Sequence, residues 1–190
     1  MPEKPSYLGL LNAISLGESG AGVYLRAWAD ATPDEELAAT LRCVAARETS
    51  HGDVFCRRIS ELGFSLLQKP DPGAAQRVAK YGNPKVSDLE KMGPERANEK
   101  DPFVDIDRQL KDGIFDPLTA KMMTWYIAEE RDSGDLLRSA YAKARAKCAN
   151  GSSTAAVATA PASTDTQAII DCMTQGFARL EKSLGKRKKK

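Results

Sequence analysis

Apolar residues recur at steps of three and four along several long stretches of this chain, and this spacing limits the fold more than any other feature of the sequence. Such steps place side chains on one face of an α-helix, whereas a half-buried strand needs an alternation of two. The sequence contains no alternating stretch long enough to build a sheet and no repeat at the period of a solenoid. It therefore predicts an all-α protein.

Helix boundaries follow from caps, prolines and glycines. Thr32, Pro33 and Glu35 provide a cap, a proline at the first helical position and the acid of a capping box, so a helix is expected to begin there. Asp116 and Pro117 provide a second start of the same kind. With glycine as the usual stop, the four predicted helices cover residues 6–31, 33–62, 117–148 and 164–184.

The connection between the second and third helices, residues 63–116, is broken by prolines and is predicted to be a long crossover. A bundle needs such a connection when its second and third helices run parallel, because the chain must return along the whole bundle. We therefore predict parallel second and third helices. Residues 149–163, rich in Ser, Thr and Ala, are expected to be a flexible linker before helix four. Residues 1–185 would form a single helical domain, with a basic tail at 186–190.

Composition and charge exclude several classes of protein. Hydrophobic residues make up 42% and charged residues 28%, the balance of a water-soluble globular chain. No apolar run approaches the roughly 20 residues that cross a bilayer, and the first residues lack the layout of a secretion signal. We therefore expect a cytoplasmic protein without a membrane span. The net charge of +2 does not favour polyanions, and we interpret the basic tail as a solvated end rather than a nucleic-acid contact.

The apolar stripe of each of the first three helices is interrupted by an acid. Glu18 lies in the stripe of helix one and Glu130 in that of helix three, while helix two carries Glu48 and the single histidine, His51, one turn apart on its apolar face. A charged carboxylate in a dry core is costly unless it is protonated, paired or bound to a metal. Three acids converging from three helices therefore indicate a cation or shared protons. Carboxylate oxygen with imidazole nitrogen suits iron or manganese.

These residues resemble the ligands of the ferritin-like di-iron carboxylate superfamily. Glu18, Glu48-Thr49-Ser50-His51 and Glu130 are similar to that family's helix-one Glu, helix-two Glu-x-x-His and helix-three Glu, in a rubrerythrin-like layout. The resemblance implies a ferritin-like four-helix bundle with a long crossover between helices two and three. It also implies an iron or manganese cofactor, and metal ligation by Glu18, Glu48, His51 and Glu130.

Helix four departs from the family, because its apolar stripe contains no Glu-x-x-His. That stripe consists of Ile170, Met173, Phe177, Leu180 and Leu184. A single ion, a site completed by Asp132 or by a substrate, and a site without metal all remain open.

The neighbours of the proposed ligands are interpreted as structural residues. The pattern of helix three from Glu130 to Ala140 is similar to that of helix one from Glu18 to Trp28, which favours Glu130 over Glu129 as the inward acid. The charged residues around it are expected to form a solvated face with ion pairs: Glu129, Arg131, Asp132 and Asp135. The aromatic residues are expected to be core residues, with Tyr24 close enough to the site to donate a hydrogen bond: Tyr24, Trp28, Trp125 and Tyr126.

Two hypotheses about function follow. One is an iron- or manganese-dependent oxidoreductase that acts with oxygen or peroxide, as the resemblance implies. The alternative is a degenerate ferritin-like scaffold without catalysis, which serves as a binding or assembly module. A single histidine leaves little room for a Ser-His-Asp triad, and the chain has no Walker or dinucleotide-binding loop. No catalytic residue is assigned, and a homo-oligomer stays open.

Overall fold

The computed structural model describes residues 3–94 and 101–151, and the regular structure within these ranges is entirely helical. The helices are α1 (Leu8–Ala31), α2 (Glu35–Glu61), α3 (Ala74–Tyr81), α4 (Asp88–Met92), α5 (Val104–Lys111) and α6 (Pro117–Gly151). The predicted all-α class is confirmed. The predicted helix at 164–184, the basic tail and most of the predicted linker lie outside the described residues. None of the described helices is both long and apolar enough to cross a membrane.

Helix α2 begins at Glu35, two residues later than predicted. The carboxylate of Asp34, not the hydroxyl of Thr32, accepts from the backbone N–H groups of Glu36 and Leu37, at 3.1 and 3.2 Å. The Thr32 hydroxyl instead donates to Asp88 in α4 at 2.6 Å. Thr32 is therefore committed to a tertiary contact, and the next polar side chain serves as the cap.

Helix α6 begins as predicted. The carboxylate of Asp116 accepts from the backbone N–H groups of Leu118 and Thr119 at 3.0 and 3.2 Å. Pro117 occupies the first helical position, where its missing N–H leaves no helical hydrogen bond unmade. The helix continues to Gly151, three residues beyond the predicted end at 148.

Helices α1 and α2 pack against each other as a close antiparallel pair. The Ser15 hydroxyl in α1 donates to the carbonyl of Gly52 in α2 at 2.8 Å. A Cβ atom at Gly52 would overlap Ser19, and one at Gly22 would overlap Thr49. The two glycines thus permit the helix backbones to approach each other on either side of the residues predicted to bind metal.

Helix α6 runs antiparallel to α2, so the predicted parallel orientation is wrong. Near the end of α2, Arg58 donates to Asp116 at the start of α6 at 2.9 Å. Near the start of α2, Asp34 accepts from Lys147, close to the end of α6, at 2.9 Å. Residue numbers therefore fall along α6 as they rise along α2. Among the described helices, this direction differs from the one that the ferritin-like resemblance implied.

The path of the crossover explains the reversal. From the end of α2 the chain passes along α1, where Tyr81 of α3 packs against Trp28 with ring centroids 5.3 Å apart. It then returns to the opposite end, where Phe115 packs against Tyr7 with centroids 5.2 Å apart. The crossover travels the length of the bundle twice, and the chain enters α6 at the end at which it left α2.

Two apolar clusters lie on either side of the middle of the bundle. One is built from Tyr7, Leu10, Leu11, Ile14, Phe55, Ile59, Phe103, Ile106, Phe115, Met123, Tyr126 and Ile127. The other is built from Leu25, Trp28, Ala29, Leu37, Leu41, Val44, Ala45, Tyr81, Met92, Ala140 and Ala144. The crossover contributes apolar side chains to both clusters. Between the two clusters, along α1, α2 and α6, lie Glu18, Glu48, His51 and Glu130.

Candidate metal centre

The structure brings together the four residues that the sequence proposed as ligands. Glu18, Glu48, His51 and Glu130 each offer one nitrogen or oxygen atom, and these atoms all lie within 4.8 Å of one another. Glu18, Glu48 and His51 are buried, and the side chain of Glu130 is only 16% exposed. Helix α1 supplies one carboxylate, α2 a carboxylate and the imidazole, and α6 the third carboxylate.

Two atoms at the centre of this cluster are buried without a hydrogen-bond partner. His51 Nδ1 and Glu130 Oε1 lie 3.1 Å apart. Their alignment is not that of a hydrogen bond, and neither atom has another partner among the described residues. Buried nitrogen and oxygen atoms are normally hydrogen-bonded, since leaving one unpaired costs about 1 to 3 kcal/mol. The pair therefore marks a place where a further polar group or ion would be stabilised.

The other nitrogen of His51 contacts Glu129, which the sequence had placed on a solvated face. His51 Nε2 lies 2.9 Å from Glu129 Oε2, and the Glu129 side chain is 34% exposed. The prediction missed this contact because consecutive helical residues point about 100° apart, and only the position of α2 shows that both reach one ring. One ring nitrogen of His51 therefore faces Glu129 and the other faces Glu130.

A tyrosine completes the hydrogen bonding of the buried acids. The hydroxyl of Tyr126 donates to Glu18 Oε1 at 2.6 Å, so Tyr126 is a polar partner as well as the predicted core residue. Tyr24, which was expected to lie close enough to the site to be a hydrogen-bond partner, packs against Tyr81 with ring centroids 4.9 Å apart. The spacing of Tyr126 and Glu130 could have indicated the contact, since residues four apart share a helix face.

Burial and mutual contact determine the protonation of the cluster. Burial, followed by the contact with Glu18, raises the pKa of Glu48 far above its usual range, so that Glu48 keeps its proton. Burial also raises the pKa of Glu18, while the hydrogen bond that Glu48 donates to it acts in the opposite direction. Burial alone would lower the pKa of His51, but Glu130 and Glu129 outweigh it and raise that pKa. Without a cation, Glu48 is therefore neutral and is hydrogen-bonded to Glu18.

Trp125 and Asp132 flank the cluster without supplying ligand atoms to it. The ring of Trp125 meets His51 edge-on, with centroids 5.0 Å apart, and is 37% exposed, so the prediction of a core residue is wrong for Trp125. Asp132 is paired with Arg47 at 2.6 Å on the surface, as the solvated-face interpretation expected. Asp132 therefore does not complete the site in the part of the chain that the structure describes.

Comparison of the chain with known proteins gives no relative. No protein-family model, no curated protein and no solved structure matches it.

Proposed function

We propose that this protein binds an iron or manganese ion through Glu18, Glu48, His51 and Glu130. We further propose that the loaded site acts as an oxidoreductase toward oxygen or peroxide. The observation that carries the proposal is the pair of unpartnered atoms, His51 Nδ1 and Glu130 Oε1, buried side by side in the carboxylate cluster.

The spacing of the cluster fits one ion. With bonds of about 2.1 Å, two ligands of the same ion lie about 3 to 4 Å apart, depending on the angle between them. The separation of 3.1 Å between the unpartnered atoms is within this range, and the limit of 4.8 Å for the whole cluster is slightly above it. Three carboxylates and one imidazole also form the mixed oxygen and nitrogen donor set that iron and manganese accept.

Each residue around the site has a definite role in this proposal. Glu48 releases its proton when a cation binds, since only the ionised carboxylate is a good ligand. Tyr126 holds Glu18 through its hydroxyl at 2.6 Å. Glu129 orients His51 so that Nδ1 faces the cluster, as carboxylates commonly do for metal-bound histidines. The ion, when bound, supplies the one-electron chemistry toward oxygen or peroxide that these side chains lack.

The proposal keeps the ligand set that the ferritin-like resemblance implied. The direction of α6 is not the one that the resemblance implied. The segment 164–184, predicted from the sequence to be a fourth helix, lies outside the described residues. Because its apolar stripe has no Glu-x-x-His, we propose a single ion rather than the pair that the family holds.

A second candidate function is a scaffold without catalysis. The raised pKa of Glu48 favours it, because a neutral acid hydrogen-bonded to Glu18 lets the cluster persist without an ion. In this alternative the acids form a proton-sharing network that holds the helices together for binding or assembly.

Metal analysis distinguishes the two candidates. Protein purified without chelators should carry up to one equivalent of iron or manganese, or show a higher melting temperature when Mn²⁺ or anaerobic Fe²⁺ is added. Binding to the folded state alone contributes about 2.7 kcal/mol at a hundredfold excess of free ion over its dissociation constant. Glu48→Ala and His51→Ala should abolish this rise, whereas Asp53→Ala, an exposed acid of α2, should keep it.

Measurements of the stability of the metal-free proteins can contradict the oxidoreductase proposal. Glu48→Ala should leave the metal-free protein as stable or more stable, because it removes an acid whose burial is unfavourable without an ion. If the parent neither contains nor responds to metal, and Glu48→Ala lowers its stability, the scaffold replaces the oxidoreductase.

A further inference from the structure

The ring of Trp125 packs against the imidazole of the candidate metal centre and also reaches the protein surface. His51 is fully buried, while Trp125, in edge-on contact with it, is 37% exposed. On another side of the imidazole, at 5.1 Å between centroids, lies the buried ring of Tyr126. Of these two rings that contact His51, only Trp125 has its other side at the protein surface.

The same surface carries the most exposed acid that contacts the cluster. Glu129 follows Trp125 by four residues in α6, so both side chains lie on one face of that helix. Its side chain is 34% exposed, compared with 16% for Glu130. A cation approaching from this side would meet a carboxylate first and the indole ring next to it. The indole N–H is only a donor and cannot ligate the cation.

The contact between α1 and α2 beside the site is harder to open. There α1 and α2 are in close contact at Gly22 and Gly52, where even one added carbon atom would overlap the neighbouring helix. Separating those helices would disrupt packing along both of them. A change of rotamer at Trp125 would break only the contacts of one exposed side chain, and such changes are fast.

We propose that Trp125 is the gate through which a metal cation enters and leaves the site. This inference rests on the proposed metal-binding function, and it makes Trp125 a residue that controls rates rather than affinity. Displacing the ring exposes His51 to solvent, and returning it closes the site over the bound ion. The gate contributes equally to entry and exit, so its removal changes both rates by one factor.

The test measures Co²⁺ binding to the full chain, with Co²⁺ as a coloured and redox-stable probe. Stopped-flow absorption gives the rate of uptake, transfer to excess EDTA gives the rate of release, and titration gives the dissociation constant. Trp125→Ala should accelerate uptake and release alike, by about two- to tenfold, the factor that corresponds to the loss of one ring contact. The dissociation constant should not change.

Three further variants control the comparison. Trp125→Phe keeps a ring and should retain rates close to those of the parent. Leu136→Ala removes a side chain with the same 37% exposure from α6, three turns from Trp125, and should change neither rate. If the alanine variant does not fold, Trp125→Leu replaces it in the experiment. Trp125→Leu should change the rates in the same direction.

The possible outcomes test the metal site and the gate separately. If the parent does not bind Co²⁺, both the proposed function and the gate are wrong. If the parent binds Co²⁺ and the ringless variants keep its rates, only the gate is wrong. If release alone becomes faster and the affinity weakens, Trp125 is a packing residue and the gate is likewise wrong.

Discussion

At the scale of single residues, His51 is the link between the interior of the bundle and its surface. Its two ring nitrogens face different carboxylates, Glu129 at 2.9 Å and Glu130 at 3.1 Å. Only the contact to Glu129 has the alignment of a hydrogen bond. The two consecutive acids of α6 therefore contact different nitrogens of one ring; in the proposed function, Glu129 orients the imidazole and Glu130 is a metal ligand.

Glu129→Ala should weaken metal binding without removing a ligand. Loss of the partner that orients a metal-binding histidine typically costs about 10- to 100-fold in affinity. Titration with Mn²⁺ or Co²⁺ measures the dissociation constant, and Asp135→Ala, an exposed acid of the same helix, is the control. An unchanged affinity in Glu129→Ala would show that the contact with His51 plays no part in binding.

At the scale of elements, the pairing of α1 with α2 depends on the absence of side chains at the helix contact. The backbone carbonyl of Ser15 lies 3.1 Å from the position that a Cβ atom would take at Gly52. A backbone atom cannot move aside as the end of a long side chain can. Glycine is therefore required at this position by packing, although it lowers the intrinsic stability of the helix.

Gly52→Ala should destabilise the protein by roughly 1 to 3 kcal/mol, because overpacking outweighs the gain in helix propensity. Gly20→Ala in α1 is the matched substitution, since a Cβ atom there meets nothing within 4 Å. It should stabilise the protein by roughly 0.5 to 1 kcal/mol. Urea unfolding of both variants measures the difference, and equal effects of the two substitutions would contradict the close approach of the helices.

At the scale of the whole molecule, Asp116 joins the three long helices at one end of the bundle. It caps α6, accepts from the Tyr7 hydroxyl just before α1 at 2.6 Å, and accepts from Arg58 of α2 at 2.9 Å. Burial alone would raise the pKa of Asp116. The hydrogen bonds from Thr119, Tyr7 and Arg58 outweigh burial and hold that pKa well below its usual range.

Asp116→Asn should lower the free energy of unfolding near neutral pH by about 2 kcal/mol, the scale of hydrogen bonds to a charged group. Because the folded-state pKa is lowered, this stabilisation is complete above the unfolded pKa of about 3.9 and is lost as the pH falls toward the folded value. Urea unfolding at pH 7 and at lower pH should therefore show the parent approaching the variant in acid. A difference independent of pH would indicate that the carboxylate charge is unimportant.

The sequence by itself determined the helical class, the positions of the long helices that the structure describes, and the four residues that meet between the two apolar clusters. These features depend on the helical period and on the cost of burying charge, both of which can be evaluated within one segment of the chain. An acid on an apolar face shows that it needs a partner before the partner's position is known.

Only the tertiary structure decided the direction of α6, the cap of α2 and the role of Glu129. The direction of α6 depends on how many times the proline-broken crossover passes along the bundle. The local periodicity of the sequence does not indicate that number. Thr32 and Glu129 are polar residues whose contacts lie in other elements, Asp88 and His51 respectively. Their functions depend on distances between segments far apart in the chain, and packing of the whole molecule sets those distances.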